Sequence, residues 1–276
     1  MANSNEFQFF WYEGPLTWVE ELCLRSFIRF PGVTVHLYTY DRDLTPRLPG
    51  CVCHDASTFL SREIADRWKS SLGQAAFSPV SSLFRYRLLY ENGGWYFDTD
   101  CILLRPLTPF FELDYVFAWE GDHVNNAVLK FPTHTEMLDR LYDECVQADP
   151  ENWQPGSFVP PFTDYLRKFG LLTKAISRGY FYPMGWNRAS DLRQFVPDEG
   201  PFILHLYSKG NRDLFYPKAA QTDSLDPITS LQRQLALLDN SLSLRIGRRV
   251  PFGKTLRRLL LRVSDRRDSY RSDSNA

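Results

Sequence analysis

Hydrophobic and polar positions in the first forty residues follow the order strand, helix, strand. An apolar run at 7–11 ends at a Gly-Pro pair, which is typical of a buried strand followed by a turn. Apolar residues within 16–30 then recur at helical spacing, and the β-branched and aromatic segment 33–38 predicts a second strand. This pattern predicts a βαβ unit of a parallel sheet. Ligands of such sheets bind beyond the carboxyl ends of the strands, where Trp11 falls.

The following segments complete an α/β domain. Residues 56–91 are predicted to be mostly helical, with an interruption at Ser78-Pro79 and an end at Gly93 and Gly94, since glycine readily adopts the left-handed conformation that closes a helix. Further strands are predicted at 95–97, 101–104, 115–119, 126–131 and 202–206, and further helices at 134–147 and 162–169. The predicted fold is a single α/β domain over 1–240, with a mainly parallel central sheet flanked by helices.

Composition excludes some classes of protein. Hydrophobic residues at 43% and charged residues at 24% are ordinary for a soluble globular protein. No apolar run is long enough for a transmembrane helix, and the first ten residues lack the basic and apolar regions of a secretory signal. We therefore expect a cytoplasmic protein.

Charge is distributed unevenly along the chain. The formal net charge is −1, yet residues 245–271 contain ten Lys and Arg against two Asp, a local +8 that leaves −9 for the remainder. An acidic body does not favour nucleic-acid binding. The tail, 241–276, is predicted to be a basic amphipathic helix with a disordered end. It either lies on an anionic membrane, at its inner face, or packs against the domain.

Five cysteines form an odd set without a C-x-x-C pair, which favours free thiols over a disulfide framework. The segment 51–55, C-V-C-H-D, has two interpretations: a metal cluster, or a short half-buried strand, which the alternation favours.

Asp98 and Asp100 follow the predicted strand 95–97 and are separated by one residue. On an extended backbone the side chains at i and i+2 point to the same face, so the two carboxylates are expected to converge. Paired carboxylates suit a hard divalent cation. The alternative is a solvated turn, and the D-x-D pattern alone leaves both open.

The surrounding segment narrows the choice. It reads S-S-L-F-R-Y at 81–86, then a helix, then G-G-W-Y-F-D-T-D at 93–100, and an apolar strand that ends at Arg105-Pro106. This order resembles the signature of the DXD-containing sugar transferases of glycosyltransferase family 32, which have the GT-A fold and are related to glucosylating clostridial toxins. A looser resemblance extends over residues 7 to 207.

The resemblance implies an activity and a set of site residues. The activity would be metal-dependent, retaining transfer of a hexosyl or N-acetylhexosaminyl unit from a nucleotide diphosphate sugar, with a UDP-sugar favoured. Mn²⁺ or Mg²⁺ would be the cofactor, and the acceptor a hydroxyl of a glycan or lipid-linked intermediate. The implied metal-site residues are Asp98, Asp100 and His205, and the implied donor-binding residues are Trp11, Ser82, Arg85, Asn125, Asn126 and Ser208.

Two departures from the family pattern leave other functions open. Ser82 stands where the family has aspartate, and the family's G-P-x-x-T motif has lost its glycine near Pro160. No carboxylate nucleophile can be assigned from the sequence. The rival interpretations are a metal-dependent nucleotide-sugar phosphohydrolase and a catalytically weak sugar-binding module.

Overall fold

A computed structural model of the chain describes residues 5–41, 50–154, 156–185 and 200–208. The described residues fall into two compact units. The first contains those up to Pro183 together with Phe202–His205. The second contains 184–185, 200–201 and 206–208, where the Tyr207 hydroxyl donates a hydrogen bond to the Met184 carbonyl. The predicted boundary at residue 240 and the basic tail lie outside the described residues.

Helices and strands are interspersed through the described part of the first unit. In chain order they are β1 (Glu6–Trp11), α1 (Trp18–Ile28), β2 (Thr34–Thr39), β3 (Cys51–Asp55), α2 (Arg62–Leu72), α3 (Phe77–Asn92), β4 (Gly94–Phe97), β5 (Cys101–Leu103), β6 (Trp119–Glu120), β7 (His123–Val124), β8 (Val128–Phe131), α4 (Glu136–Val146), α5 (Val159–Lys168) and β9 (Ile203–His205). Short 3₁₀ turns connect several of them. None of the helices in the described part is long and apolar enough to cross a membrane.

A five-stranded sheet in the order β3-β2-β1-β4-β8 forms the centre of the first unit. Its strands are parallel except β8, which pairs antiparallel with β4. Strands β5 and β9 form a separate antiparallel pair, and β6 and β7 form a hairpin. The predicted α/β class with a mainly parallel sheet flanked by helices is confirmed.

Aromatic side chains fill both faces of the sheet. On one face, Phe9 of β1 packs edge-to-face on Phe27 of α1, with ring centroids 4.9 Å apart. On the other, Phe10 stacks on Phe84 of α3 at 4.2 Å. Neighbouring side chains of a strand point to opposite faces, so β1 anchors a helix on each side. Much of the high aromatic content thus serves the core.

Local sequence fixes the ends of the two helices that flank β1. Thr17 and Glu20 form a capping box at the start of α1, in which the Glu20 carboxylate accepts from the Thr17 amide at 2.7 Å. Helix α3 ends at Gly93, whose φ is +61°. A Cβ there would lie 2.8 Å from the Thr133 amide nitrogen, so only glycine fits this turn into β4.

The βαβ unit and most of the later elements are confirmed within a few residues. The helical segment 56–91 is interrupted at Gly73–Ala76 instead of at Ser78-Pro79. Pro79 lies in the first turn of α3, where a helix needs no amide donor, so it does not break the helix.

The predicted strand 115–119 forms only isolated bridges and the short β6. Val116 pairs with Lys130 of β8 through amide–carbonyl bonds of 3.0 and 2.8 Å, whereas Ala118 pairs with Ile176. The segment changes partners within two residues, and this prevents a continuous ladder. It covers the outer edge of β8 at Lys130.

Candidate active site

Asp98, Thr99 and Asp100 lie at the turn between β4 and β5. The Asp98 amide donates to the Ala127 carbonyl at 2.8 Å, and the Cys101 amide donates to the Asp98 carbonyl at 3.1 Å. The chain passes here from the five-stranded sheet to the β5–β9 pair. A turn therefore replaces the extended backbone from which the direction of the two carboxylates was predicted, and each carboxylate has its own partners.

Asp98 is held by two groups from neighbouring elements. Arg85 of α3, with a side chain only 3% exposed, places Nη2 2.9 Å from Oδ1 and donates from Nη1 to Oδ2 at 3.3 Å. The Tyr96 hydroxyl donates to Oδ1 at 3.0 Å, and the guanidinium lies over the Tyr96 ring. The carboxylate is thus fixed by a bidentate ion pair and a phenol.

A buried network of hydrogen bonds also holds Arg85 in place. The Asn126 carbonyl and side-chain Oδ1 both accept from Arg85 Nη1. The Asn126 amide donates to the Tyr86 hydroxyl at 2.8 Å and to Ser82 Oγ at 3.5 Å. Ser82 in turn donates to the Ser78 carbonyl within α3 at 3.1 Å. Three predicted donor-binding residues therefore meet in one cluster, where their hydrogen bonds orient Arg85.

Asp100 meets His205 across the separate strand pair. Strands β5 and β9 align Cys101 opposite His205, and this brings His205 Nε2 to 3.1 Å from Asp100 Oδ1. Both side chains are largely buried, at 8% exposed for His205 and 14% for Asp100. The Tyr182 ring packs edge-on against the imidazole, at 5.8 Å between centroids. Residues more than a hundred positions apart thus form one polar contact.

Nearby charges shift the pKa values of the two basic groups of the site. Burial alone would lower the pKa of His205, but the carboxylate of Asp100, with Asp98 and Glu120 farther away, outweighs it and raises that pKa. Burial likewise acts to lower the pKa of Arg85, and the charge of Asp98 more than reverses this effect. Arg85 stays protonated.

One group of side chains in the described ranges has metal-ligand geometry. Ligand atoms of Asp100, Cys101 and His205 lie within 4.8 Å of one another. Burial, followed by the charges of Asp100 and Asp98, raises the pKa of the Cys101 thiol. The carboxylate of Asp100 is a ligand type that hard cations such as Mn²⁺ and Mg²⁺ prefer, and the imidazole of His205 is a ligand type of several transition metals. The donor set fits a divalent cation held by Asp100 and His205.

The cluster interpretation of 51–55 receives no such support. These residues form strand β3, as the alternation favoured, and their side chains are not part of any described group with three close ligand atoms. Neither Cys51 nor Cys53 forms a disulfide.

Asn125 and Glu120 form a contact beside the metal-ligand group. The Asn125 side chain donates to Glu120 Oε2 at 2.5 Å, and its Oδ1 accepts from the Ala127 amide at 2.7 Å. Both ends of this amide are used within the protein. A direct contact of Asn125 with a donor sugar stays a prediction.

Trp11 ends strand β1, as predicted, and its indole nitrogen donates to the Gly14 carbonyl at 2.7 Å. Its ring lies tilted toward Phe77, with centroids 6.2 Å apart, and is partly exposed. Its stacking on a nucleobase stays a prediction. Ser208 belongs to the second unit, and its role also stays a prediction.

Sequence reasoning missed three residues of this region: Tyr96, Glu120 and Tyr182. Tyr96 lies inside the G-G-W-Y-F-D motif, so its spacing of two from Asp98 was a usable signal. Tyr182 lies in the sequence Phe181-Tyr182-Pro183, but nothing there indicates the hydrogen bond that the Val128 amide donates to its hydroxyl. Glu120 carries no local signal, because its role depends on a hairpin that was not predicted.

The fold and site thus define an α/β protein with a D-x-D turn at the end of a sheet. Residues 45–118 match the family described as "Glycosyltransferase sugar-binding region containing DXD motif". The resemblance to DXD sugar transferases is confirmed for this segment, which contains Arg85, Asp98 and Asp100. This segment is therefore similar to the sugar-binding region of DXD glycosyltransferases.

No curated protein matches the sequence. Among solved structures, the chain is similar to the PaToxG glycosyltransferase, at 13% identity and a TM-score of 0.46, over 86% of this chain and 83% of that one. It is also similar to the glycosyltransferase GlyE of Streptococcus pneumoniae TIGR4, at 16% identity and a TM-score of 0.42. That match covers 91% of this chain and 64% of GlyE, so the chain spans less than two thirds of GlyE.

Proposed function

We propose that the protein is a metal-dependent glycosyltransferase that uses a nucleotide diphosphate sugar, with a UDP-sugar favoured. It would transfer a hexosyl or N-acetylhexosaminyl unit to a hydroxyl of a glycan or lipid-linked acceptor. The observation that carries the proposal is the 3.1 Å contact between Asp100 and His205 beside a D-x-D turn. Carboxylate and imidazole, two side-chain types that bind divalent cations, meet there.

Each residue of the site would have a distinct role. Asp100 and His205 would hold Mn²⁺ or Mg²⁺, and Asp98 would contact the cation or the donor ribose. A bound cation stabilises the negative charge that develops on a diphosphate leaving group. Arg85 keeps Asp98 oriented and contributes a permanent positive charge. The family resemblance supports retention of anomeric configuration, and no nucleophile is assigned.

Donor consumption tests this function. The full chain would be incubated with a panel of nucleotide sugars, with Mn²⁺, with Mg²⁺ or with excess chelator, and with or without a glycan acceptor. We expect release of nucleoside diphosphate from one preferred donor only with the cation, and an increase on addition of acceptor. The anomeric configuration of the product, read by NMR, would test retention.

The two rival functions give different results in the same assay. A phosphohydrolase would cleave the donor at a rate that acceptor does not change. A sugar-binding module, for which Ser82 is the motive, would bind donor without turnover. Full activity in excess chelator would contradict the metal-dependent proposal.

A membrane role for residues 245–271 is a separate part of the proposal and rests on sequence alone. Each Lys or Arg near an anionic surface contributes roughly 1 kcal/mol, so a net +8 could hold a cytoplasmic enzyme reversibly at the inner face of the membrane. Flotation with vesicles tests it: binding should require anionic lipid, weaken with salt and disappear on truncation before Arg245. Unfolding of the truncated protein would instead show that the tail packs on the domain.

A further inference from the structure

Glu120 occupies an unusual place in the β6–β7 hairpin. Residues 121–123 at the hairpin tip are exposed, whereas Glu120 is half-buried and turned toward Asn125. A carboxylate is costly to bury unless it accepts hydrogen bonds, and here the Asn125 amide donates at 2.5 Å. The hairpin thus carries its one half-buried carboxylate inward.

A chain of hydrogen bonds connects this carboxylate to the D-x-D turn. Glu120 Oε2 accepts from the Asn125 amide, and Asn125 Oδ1 accepts from the Ala127 amide at 2.7 Å. The Ala127 carbonyl accepts from the Asp98 amide at 2.8 Å. Because a carboxylate only accepts, Glu120 also fixes which end of the Asn125 amide faces Ala127. Loss of the Glu120 contact would let this amide rotate and leave the buried Ala127 amide without its acceptor.

We propose that Glu120 is a positioning residue for the cation and diphosphate of the transfer site. By holding the Asn125 side chain, it fixes the Ala127 carbonyl that anchors the Asp98 amide, and so keeps the D-x-D turn in the shape that binds the cation. This inference rests on the proposed function, since it concerns the same cation site.

Binding of UDP with and without Mn²⁺, measured by calorimetry on the full chain, tests the inference without turnover. Groups that orient metal ligands typically change metal affinity by about 10- to 100-fold. We expect Glu120→Ala to weaken Mn²⁺-dependent UDP binding by about that factor and to leave binding without Mn²⁺ unchanged. Glu120→Gln should stay within about threefold of the wild type, because its side-chain carbonyl still accepts from Asn125.

Asn125→Ala tests the same path from the other end. It should weaken Mn²⁺-dependent UDP binding by a similar factor. The double variant Glu120→Ala/Asn125→Ala should bind UDP no more weakly than Asn125→Ala alone, because both changes break the same chain of hydrogen bonds. Glu136→Ala is the matched control. That carboxylate lies at the start of α4, 68% exposed, and pairs only weakly with Arg140 at 3.5 Å. We expect it to bind as the wild type does.

The outcomes separate this inference from the proposed function. If Glu120→Ala binds like the wild type, or if Glu120→Gln is as weak as Glu120→Ala, the positioning role is contradicted while the function stands. Should Glu120→Ala fail to fold, unchanged binding by Asn125→Ala overturns the role instead. If the wild type binds UDP equally with and without Mn²⁺, the metal-dependent function itself is contradicted, and the Glu120 role with it.

Discussion

Asp98 and Asp100 are separated by one residue but lie in different electrostatic surroundings. Asp98 faces the guanidinium of Arg85, which is buried and permanently charged, and the Tyr96 hydroxyl. Asp100 faces His205, whose charge depends on a proton. The first carboxylate therefore pairs with a permanent charge, whereas the contact described for the second is with a group whose charge depends on a proton. We propose from this comparison that the first aspartate of the motif chiefly holds structure and the second chiefly holds ligand.

Asp100→Asn gives the largest expected effect. The amide oxygen can still accept from His205, so the fold is kept, but the neutral group holds a divalent cation poorly. We expect turnover to fall by about 100-fold or more, in line with loss of one charge-stabilising group, and Tm to change by only a few degrees. Steady-state rates at several Mn²⁺ concentrations, with a melting curve for each variant, would check this.

Asp98→Asn should have the opposite effect, a large loss of stability and a smaller loss of turnover. It leaves the buried Arg85 without its counter-charge, and breaking a buried pair costs about 3–5 kcal/mol. Asp98 is 26% exposed, so we expect the lower end, about 3 kcal/mol, seen as a clear fall in Tm. Chemical denaturation would measure the free energy of unfolding. An Asp98→Asn protein as stable as Asp100→Asn would show that the two carboxylates do not divide structure from ligand binding.

Ser82→Asp should have a smaller effect on the same cluster. Ser82 is buried, bonds to the Ser78 carbonyl, and lies 3.5 Å from the Asn126 amide that helps to hold Arg85. A carboxylate at this position only accepts, so we expect the ranking of donor sugars to change. Relative rates across a donor panel test this. The same ranking in both proteins would indicate that Ser82 does not contact the donor.

The smallest expected effect lies away from the site, at His36 and His54, whose ring nitrogens are 2.9 Å apart. Burial lowers the pKa of both, Glu6 partly opposes this at His36, and a charge on His36 lowers the pKa of His54 further; Tyr38 stacks on His54. Because the folded pKa values lie below the ordinary value of about 6.5, the unfolded chain binds more protons in mild acid. The contribution of these two histidines to the free energy of unfolding is therefore fully present above about pH 6.5 and is lost as the pH falls below it.

Replacement of one ring tests this titration. In His54→Gln, Tm should fall less than in the wild type between about pH 7 and pH 5, since one depressed histidine is removed. Melting curves over that range provide the measurement. Parallel pH profiles for the two proteins would mean that the pair does not contribute to acid sensitivity.

Local pattern predicted those parts of the molecule that depend on near neighbours. The β1-α1-β2 unit and the glycine end of α3 follow from spacing or from a short motif, whereas the D-x-D segment forms a turn where an extended backbone was expected. The helix interruption predicted at Pro79 was wrong, because proline breaks a helix in its interior but is tolerated in its first turn. The contact of His205 with Asp100 was implied only through resemblance, since no periodicity relates residues 105 positions apart. Glu120 was not predicted as a site residue, because strands of only two residues, such as β6 and β7, leave almost no hydrophobic pattern in the sequence.

The bridge between Val116 and Lys130 also bears on self-association. An exposed sheet edge offers its free amides and carbonyls to the strand of another molecule. At Lys130 the outward amide and carbonyl of β8 are already bonded to Val116, at 2.8 and 3.0 Å. A second chain could extend the sheet at this position only after displacing the 115–119 segment. Strand exchange at this position of β8 would therefore require local unfolding.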